Sequence, residues 1–157
     1  MRLTAILLIA SAGLVLNAAT ASRDAVRGDV ARLQGTWSIV SVKIDGQPLN
    51  MDMLKAAKLS IRGASYSFRL DQTVWELTFQ VDESKTPKAI DLYVVKGPEQ
   101  GKTYHGIYKL DDEVYTICRT IEPGKDRPRT FGTAPDSGLI MVVWRHVVRP
   151  PMELKGR

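Results

Sequence analysis

Three consecutive segments of the chain alternate apolar and polar residues at a period of two, which is typical of β-strands with one buried and one solvated face. The segments are residues 58–62, 65–70 and 75–81, and their apolar members are Leu59, Ile61, Tyr66, Phe68, Leu70, Trp75, Leu77, Phe79 and Val81. Gly63-Ala64 connects the first segment to the second, and Asp71-Gln72 begins the connection to the third. Connections this short form hairpins. The pattern therefore predicts an antiparallel meander of three strands.

Five further segments are rich in β-branched and aromatic residues, which favour strands. They are residues 35–44, 88–95, 102–110, 113–120 and 138–148. Asp111-Asp112 joins two of them in a tight hairpin, and Asn50 is a candidate N-cap for one short helix that runs through Ala57. Because about eight antiparallel strands close a small barrel, the sequence predicts an all-β barrel whose interior is filled or holds one small ligand.

The N-terminus has the organisation of a signal peptide. Arg2 supplies the positive start, residues 5–16 form an apolar run, and Ala19-Thr20-Ala21 is a small-x-small cleavage site. An uncleaved membrane anchor is the alternative, but the run is shorter than the ~20 residues of a spanning helix. We therefore expect an exported protein, periplasmic or extracellular, with no stable membrane span after cleavage.

This interpretation divides the chain into four parts. Residues 1–21 are the signal peptide, 22–32 an N-terminal lead-in or short exposed helix, 33–149 the barrel domain and 150–157 a C-terminal tail. Removing residues 1–21 deletes Arg2 and no acid, which leaves 21 basic and 17 acidic residues, a net charge of +4. Acids separate the basic residues along the chain, so nucleic acid is not an expected partner.

Several motifs occur in the order found in a known family. They are SKTPKAID at residues 84–91, Gly101-Lys102, Gly106-Ile107-Tyr108, Cys118, and Arg127-Pro128 followed by Phe131. The start of the domain, LQGTW at residues 33–37, with Val40-Ser41 and Asp45-Gly46 after it, fits the same pattern. Together these motifs resemble the Planctomycetes uncharacterised domain family, which is lipocalin-like. The resemblance implies a lipocalin-like fold, and it brings no activity or catalytic residue with it.

The Gly-x-Trp at residues 35–37 also resembles the signature of true lipocalins, whose tryptophan packs at the closed end of the barrel beneath an arginine of the last strand. Arg145 is the matching arginine, so this resemblance implies a cation–π contact between Trp37 and Arg145 where the barrel closes. The alternative is a core tryptophan and an unrelated surface arginine.

The sequence contains no arrangement of residues that indicates catalysis. His105 and His146 are the only histidines, and neither has a second ligand at metal-site spacing, so we expect no metal and no cofactor. No Gly-x-Ser-x-Gly motif occurs. Asp91 and Glu99 could form a carboxylate pair, although such residues in an antiparallel sheet are more often solvated.

Two other features have open interpretations. Cys118, the single cysteine, lies in a predicted strand, where it is a packed and inert thiol or else a reactive or intermolecularly bonded one. GKDRPR at residues 124–129 is a solvated loop or a grip for an anionic ligand or partner.

Two functions remain, and both depend on the barrel. In the first, Tyr66, Phe68, Trp75, Leu77 and Phe79 share one face of the meander and line a site for a small apolar or amphipathic ligand. In the second, the barrel is solid and its loops bind a protein of the cell envelope. An internal void favours the first hypothesis, and a filled interior favours the second.

We predict cleavage after Ala21, because the apolar run is followed directly by the small-x-small site. The intact mass of the exported protein measures this. A mass that still includes residues 1–21 would contradict the prediction and support a membrane anchor.

Overall fold

A computed structural model describes residues 28–148 of the chain. The predicted signal peptide, residues 22–27 of the lead-in and the C-terminal tail lie outside the described residues. Within the described range the chain forms a closed antiparallel barrel of eight strands, with a ninth, very short strand at its side. The predicted fold class is confirmed.

Helix α1 (Asp29–Leu33) precedes the barrel strands. The strands are β1 (Gly35–Ile44), β2 (Gln47–Pro48), β3 (Lys58–Arg62), β4 (Ser65–Leu70), β5 (Thr73–Asp82), β6 (Lys88–Lys96), β7 (Thr103–Asp111), β8 (Val114–Thr120) and β9 (Leu139–His146). β2 pairs only with the end of β1, whereas β1 and β3 to β9 pair in chain order and the β1–β9 pairing closes the sheet.

A β-bulge in β1 shapes the closing pair of strands. β1 and β9 pair from Trp37 opposite His146 onward, with a register shift just after Ile39. The extra residue, Val40, is 41% exposed, so Ile39 and Val42 both pack toward the interior. The bulge explains why residues 35–44 do not keep a strict period of two.

Trp37 is buried at one end of the barrel, where its indole Nε1 donates a hydrogen bond of 2.9 Å to the carbonyl of Leu33. The rings of His146 and Tyr115 pack edge-on against it, with 4.8 and 5.7 Å between ring centroids. Arg145 pairs with Ser38 instead, and its side chain is exposed. The predicted contact of Trp37 with Arg145 is therefore wrong, because successive residues of a strand point to opposite faces and His146 is the one opposite Trp37.

This packing also accounts for the glycine of the Gly-x-Trp motif. Gly35 has φ of 121°, and a Cβ at this position would clash with Nε2 of His146. The same Nε2 lies 3.2 Å from the carbonyl oxygen of Gln34. Glycine thus leaves room for the imidazole that covers Trp37.

The buried carboxylate of Asp29 attaches α1 to the closed end of the barrel. Asp29 is 3% exposed, and its Oδ2 accepts hydrogen bonds from Nζ of Lys88 at 2.6 Å and from the hydroxyl of Tyr108 at 2.9 Å. Its Oδ1 accepts from Arg32 at 3.2 Å, and its backbone N–H donates to Glu83 at 2.8 Å. The end of the predicted lead-in is therefore a short helix that is attached to the barrel through Asp29, while Val30, Ala31 and Arg32 are exposed.

The segment between β2 and β3 is shorter and tighter than the predicted helix. The N-cap is confirmed, since Oδ1 of Asn50 accepts a hydrogen bond of 2.9 Å from the N–H of Asp52. The helix itself is a single 3-10 turn (Met51–Met53) that ends before Ala57, a form common in short connectors. Leu54 then packs into the barrel. None of the helices within residues 28–148 is long and apolar enough to cross a membrane.

We expect Asp29→Asn to lower the free energy of unfolding by about 1–3 kcal/mol, because Lys88 and Tyr108 lose a charged, buried acceptor. Burial raises the pKa of Asp29, but the hydrogen bonds from Lys88 and Tyr108 outweigh it and hold the pKa below the ordinary 3.8. A carboxyl with a lowered pKa stabilises the folded state above the unfolded pKa of about 4 and stops doing so as the pH falls through the folded pKa. Urea unfolding at neutral and acidic pH measures both effects.

Asp52→Asn is the matched control. Asp52 also lies in a first helical turn and pairs with a lysine, Lys55, but its side chain is 74% exposed. Its replacement should change stability by no more than about 0.5 kcal/mol. Equal losses in the two variants, or a loss in Asp29→Asn that does not shrink in acid, would contradict the role assigned to Asp29.

Candidate functional site in the barrel interior

The barrel is packed at the end that contains Trp37 and hollow at the other. The packed end holds side chains with at most 1% exposure, among them Leu33, Leu59, Ile61 and Tyr108. The hollow end encloses a cavity of about 320 Å³. This volume lies at the lower end of the range of roughly 300–1,000 Å³ for small-molecule sites.

Most of the cavity wall is apolar. The twenty lining residues are Ile39, Val42, Ile44, Leu49, Leu54, Tyr66, Phe68, Leu70, Trp75, Leu77, Leu92, Val94, Glu99, Tyr104, Ile117, Arg119, Ile121, Ile140, Val142 and Trp144. All of them except two tyrosines, one glutamate and one arginine are aliphatic, phenylalanine or tryptophan. Such a wall suits an apolar molecule or the apolar part of an amphipathic one.

Four of the five side chains predicted to line the interior site do line the cavity: Tyr66, Phe68, Trp75 and Leu77. Phe79 is the exception. It points inward but lies further along β5 toward the closed end, where it is 5% exposed and packs edge-on against Tyr66 with 6.2 Å between centroids. Phe79 is thus a core residue, because its depth along the strand, which periodicity does not report, places it in the packed half.

The aromatic side of the cavity joins two distant parts of the chain. Phe68 stacks on Trp75 with 5.3 Å between ring centroids and contacts Trp144 of β9 edge-on at 5.9 Å. Sequence analysis did not assign Trp144 to the site. Its place in the last predicted strand indicated that it lies next to β1. Which face of the sheet it occupies depends on the register of the β1–β9 pairing, which the sequence does not give.

Three polar side chains form a group at the open half of the cavity. The guanidinium of Arg119 lies over the ring of Tyr104, with Cζ 4.3 Å from the ring centroid, and its Nη1 donates a hydrogen bond of 2.7 Å to the carbonyl of Thr120. The hydroxyl of Tyr104 donates to Glu99, which is exposed. Sequence analysis missed Arg119, because a single arginine in an otherwise apolar strand gives no indication of which face it takes.

The tyrosines of the cavity are neutral at physiological pH. Burial raises the pKa of Tyr66 to about 12, and burial together with the hydrogen bond to Glu99 raises the pKa of Tyr104 to about 12. Glu99 and Arg119 therefore supply the formal charges of the described cavity wall.

A second concavity, of about 660 Å³, lies on the outside of the barrel beneath the loop that follows β8. Asp91 on this face lies 2.6 Å from Nδ1 of His105 and accepts a hydrogen bond of 2.7 Å from Arg127. Arg127 also donates to the carbonyls of Ile90 and Gly106, at 2.8 and 2.7 Å. Although burial raises the pKa of Asp91, the hydrogen bonds from His105 and Arg127 keep it below the ordinary value. This cluster fastens the loop to the barrel wall.

The outer cluster changes two expectations from the sequence. Arg127 is bound to the protein itself, so the grip suggested for residues 124–129 would depend on Lys125 and Arg129, both exposed. Asp91 and Glu99 do not form a carboxylate pair, since Asp91 binds His105 and Arg127 on the outer face while Glu99 binds Tyr104 at the cavity.

The remaining reactive groups are structurally accounted for. Cys118 is free and fully buried, and its Sγ donates a 3.5 Å hydrogen bond to the carbonyl of Gly132. Burial raises the pKa of this thiol. The burial agrees with the packed thiol, one of the two interpretations of the sequence. Among residues 28–148 no group of three or more histidine, cysteine or acidic side chains is arranged to hold a metal ion.

Comparison with known proteins places no constraint on this site. No family model, no curated protein and no solved structure matches the sequence. The residues of the site themselves therefore define its chemistry.

Replacement of two phenylalanines by alanine should distinguish the hollow half from the packed half. We expect Phe79→Ala to cost about 3–5 kcal/mol of stability, the range for a packed core phenylalanine. Phe68→Ala should cost less than about 2 kcal/mol, because Phe68 already borders empty space and its removal opens little new cavity. Urea unfolding followed by far-UV circular dichroism measures both losses. Equal losses would mean that the two halves are packed alike.

Proposed function

We propose that this chain is an exported, lipocalin-like binding module that holds a small apolar or amphipathic molecule in the hollow half of its barrel. The observation that supports the proposal is the apolar cavity of about 320 Å³, which is lined by side chains of seven strands and lies in the half of the barrel opposite Trp37. A void of this size costs stability unless something occupies it, since its lining atoms lack packing partners.

The aromatic side of the cavity favours a ligand with apolar bulk. Phe68, Trp75 and Trp144 present ring surfaces to the same space, and together they can bury a large apolar area. Phe68 stacks on Trp75 and contacts Trp144 edge-on, so the wall is already ordered before a ligand enters. Such preorganisation reduces the entropy cost of binding.

Export and family membership are part of the same proposal. The signal-peptide pattern of residues 1–21 supports delivery to the periplasm or the exterior. The motif order from residue 33 to residue 145 supports membership of the Planctomycetes uncharacterised domain family. The cavity is independent of both, because it is a feature of the barrel interior alone. We assign no catalytic activity.

The second candidate is an interaction domain that uses its outer surface to bind a protein of the cell envelope. The observation that favours it is the outer concavity with Lys85 and Arg129 exposed at its edge. Native mass spectrometry of protein purified from its host separates the two functions. A ligand-sized mass addition supports the binding module, and a protein-sized addition supports the interaction domain.

A neutral apolar probe tests the binding module directly. We expect N-phenylnaphthylamine fluorescence to rise on mixing with the wild-type protein, because the probe leaves water for a mostly apolar, aromatic cavity. Val142→Phe should abolish this rise, since Val142 lines the cavity and a larger side chain there fills it. The measurement is a fluorescence titration, with circular dichroism as a check on folding.

Val143→Phe is the matched control for this variant. Val143 is the next residue of β9 and is only partly buried on the outer face, so the same substitution there leaves the cavity open. It should bind the probe like the wild type. A wild-type protein that gives no fluorescence rise would contradict the binding module and favour the interaction domain.

A further inference from the structure

Arg119 places a positive charge inside an otherwise apolar cavity. In β8 the side chains of Tyr115 and Ile117 belong to the interior core, and Arg119 continues the same face by the alternation of the strand. Burial lowers the pKa of Arg119 from its ordinary value, while the nearby Tyr104, Tyr66 and Glu99 raise it. The guanidinium remains charged at neutral pH, because its ordinary pKa is far above that range. The described cavity wall therefore carries a fixed cation partly withdrawn from water.

The protein satisfies this cation only in part. Among the hydrogen bonds of the described residues, Arg119 makes one, to the carbonyl of Thr120, although a guanidinium has five N–H donors. The salt bridges of residues 28–148 do not include Arg119. The guanidinium also lies over the ring of Tyr104. The hydroxyl of Tyr104 donates a hydrogen bond to Glu99, which is exposed.

Gly106 makes the inward position of Arg119 sterically possible. It lies directly opposite Arg119 in the β7–β8 pairing, and a Cβ at Gly106 would come within 3.0 Å of the Cβ of Arg119. That separation is much shorter than the usual spacing of about 4.5–5.5 Å between opposite Cβ atoms, so a larger residue would push the strands apart. Gly106 therefore leaves the space in which the side chain of Arg119 can point into the barrel.

We propose that the cavity recognises amphiphiles with an oxyanion head group, a carboxylate or a phosphate, bound by the guanidinium of Arg119 while the apolar chain lies against Phe68, Trp75 and Trp144. The inference rests on the binding module proposed above and specifies its ligand class. A planar guanidinium can donate two parallel hydrogen bonds to such a head group. The partial burial of Arg119 increases the strength of that pairing relative to one in water.

Amphiphiles that share a decyl chain and differ in the head group test the proposal. Decanoate, decyl phosphate, decanol and decylamine are titrated against the wild-type protein loaded with N-phenylnaphthylamine, and displacement of the probe gives each affinity at neutral pH. We expect at least one of the two anions to bind about 10- to 100-fold tighter than decanol, the range for a charge-assisted hydrogen bond. Decylamine should bind most weakly. The tighter anion identifies the head group.

Variants of Arg119 assign the preference to this residue. Arg119→Met should reduce the ratio of anion to decanol affinity to about one while decanol still binds, which also shows that the variant is folded. Arg119→Lys should keep a preference for the anions, because the charge is retained. Arg145→Met removes an exposed arginine from the outer face and should behave like the wild type.

The outcomes separate this inference from the proposed function. If decanol binds as tightly as both anions, or if folded Arg119→Met keeps the preference, the anion inference is overturned and the binding module stands. If neither the probe nor any amphiphile binds, the binding module itself fails. Should Arg119→Met not fold, the wild-type ratio and the Arg119→Lys variant still decide the question.

Discussion

The pairing of β1 with β9 is the constraint on which the rest of this structure depends. Without it the sheet would have two open edges and no interior, so neither a packed core nor a cavity could exist. The packing at its start is specific: Gly35 leaves room for His146, and His146 covers Trp37. The hydrogen bond from Trp37 to Leu33 then connects this closure to α1.

Closure divides the interior into halves of different physical character. At the Trp37 end, α1 and the buried Asp29 seal the barrel, and the charge of Asp29 is balanced by Lys88 and Arg32. β3 pairs with β1 only from Gly35 to Ser38 and contributes no side chain to the cavity wall. Leu49 and Leu54 of the segment between β2 and β3 line the cavity instead. Stability is therefore concentrated in one half, which leaves the other half free to remain hollow.

The sequence predicted the elements of this fold more accurately than their contacts. Alternation identified the strands and the inward residues of the meander, because those properties depend on neighbours in the chain. The contact of Trp37 with His146 rather than Arg145 depends on cross-strand register, which a one-residue shift reverses. The same limit applies to Phe79 and Arg119, since periodicity gives the face of a residue but not its depth or its partners.

Two arginines near the same pair of strands show which polar groups the fold uses for itself. Arg127 donates three hydrogen bonds, to the carboxylate of Asp91 and to two backbone carbonyls, so its charge is paired within the protein. Arg119 has one carbonyl and an aromatic face, although it is withdrawn from water and next to an apolar space. An incompletely paired charge inside a barrel lowers stability, whereas the same charge gains a strong partner once an anionic head group enters. Because Arg119 has fewer partners within the protein than Arg127, we expect an anion to bind in the cavity rather than in the outer concavity.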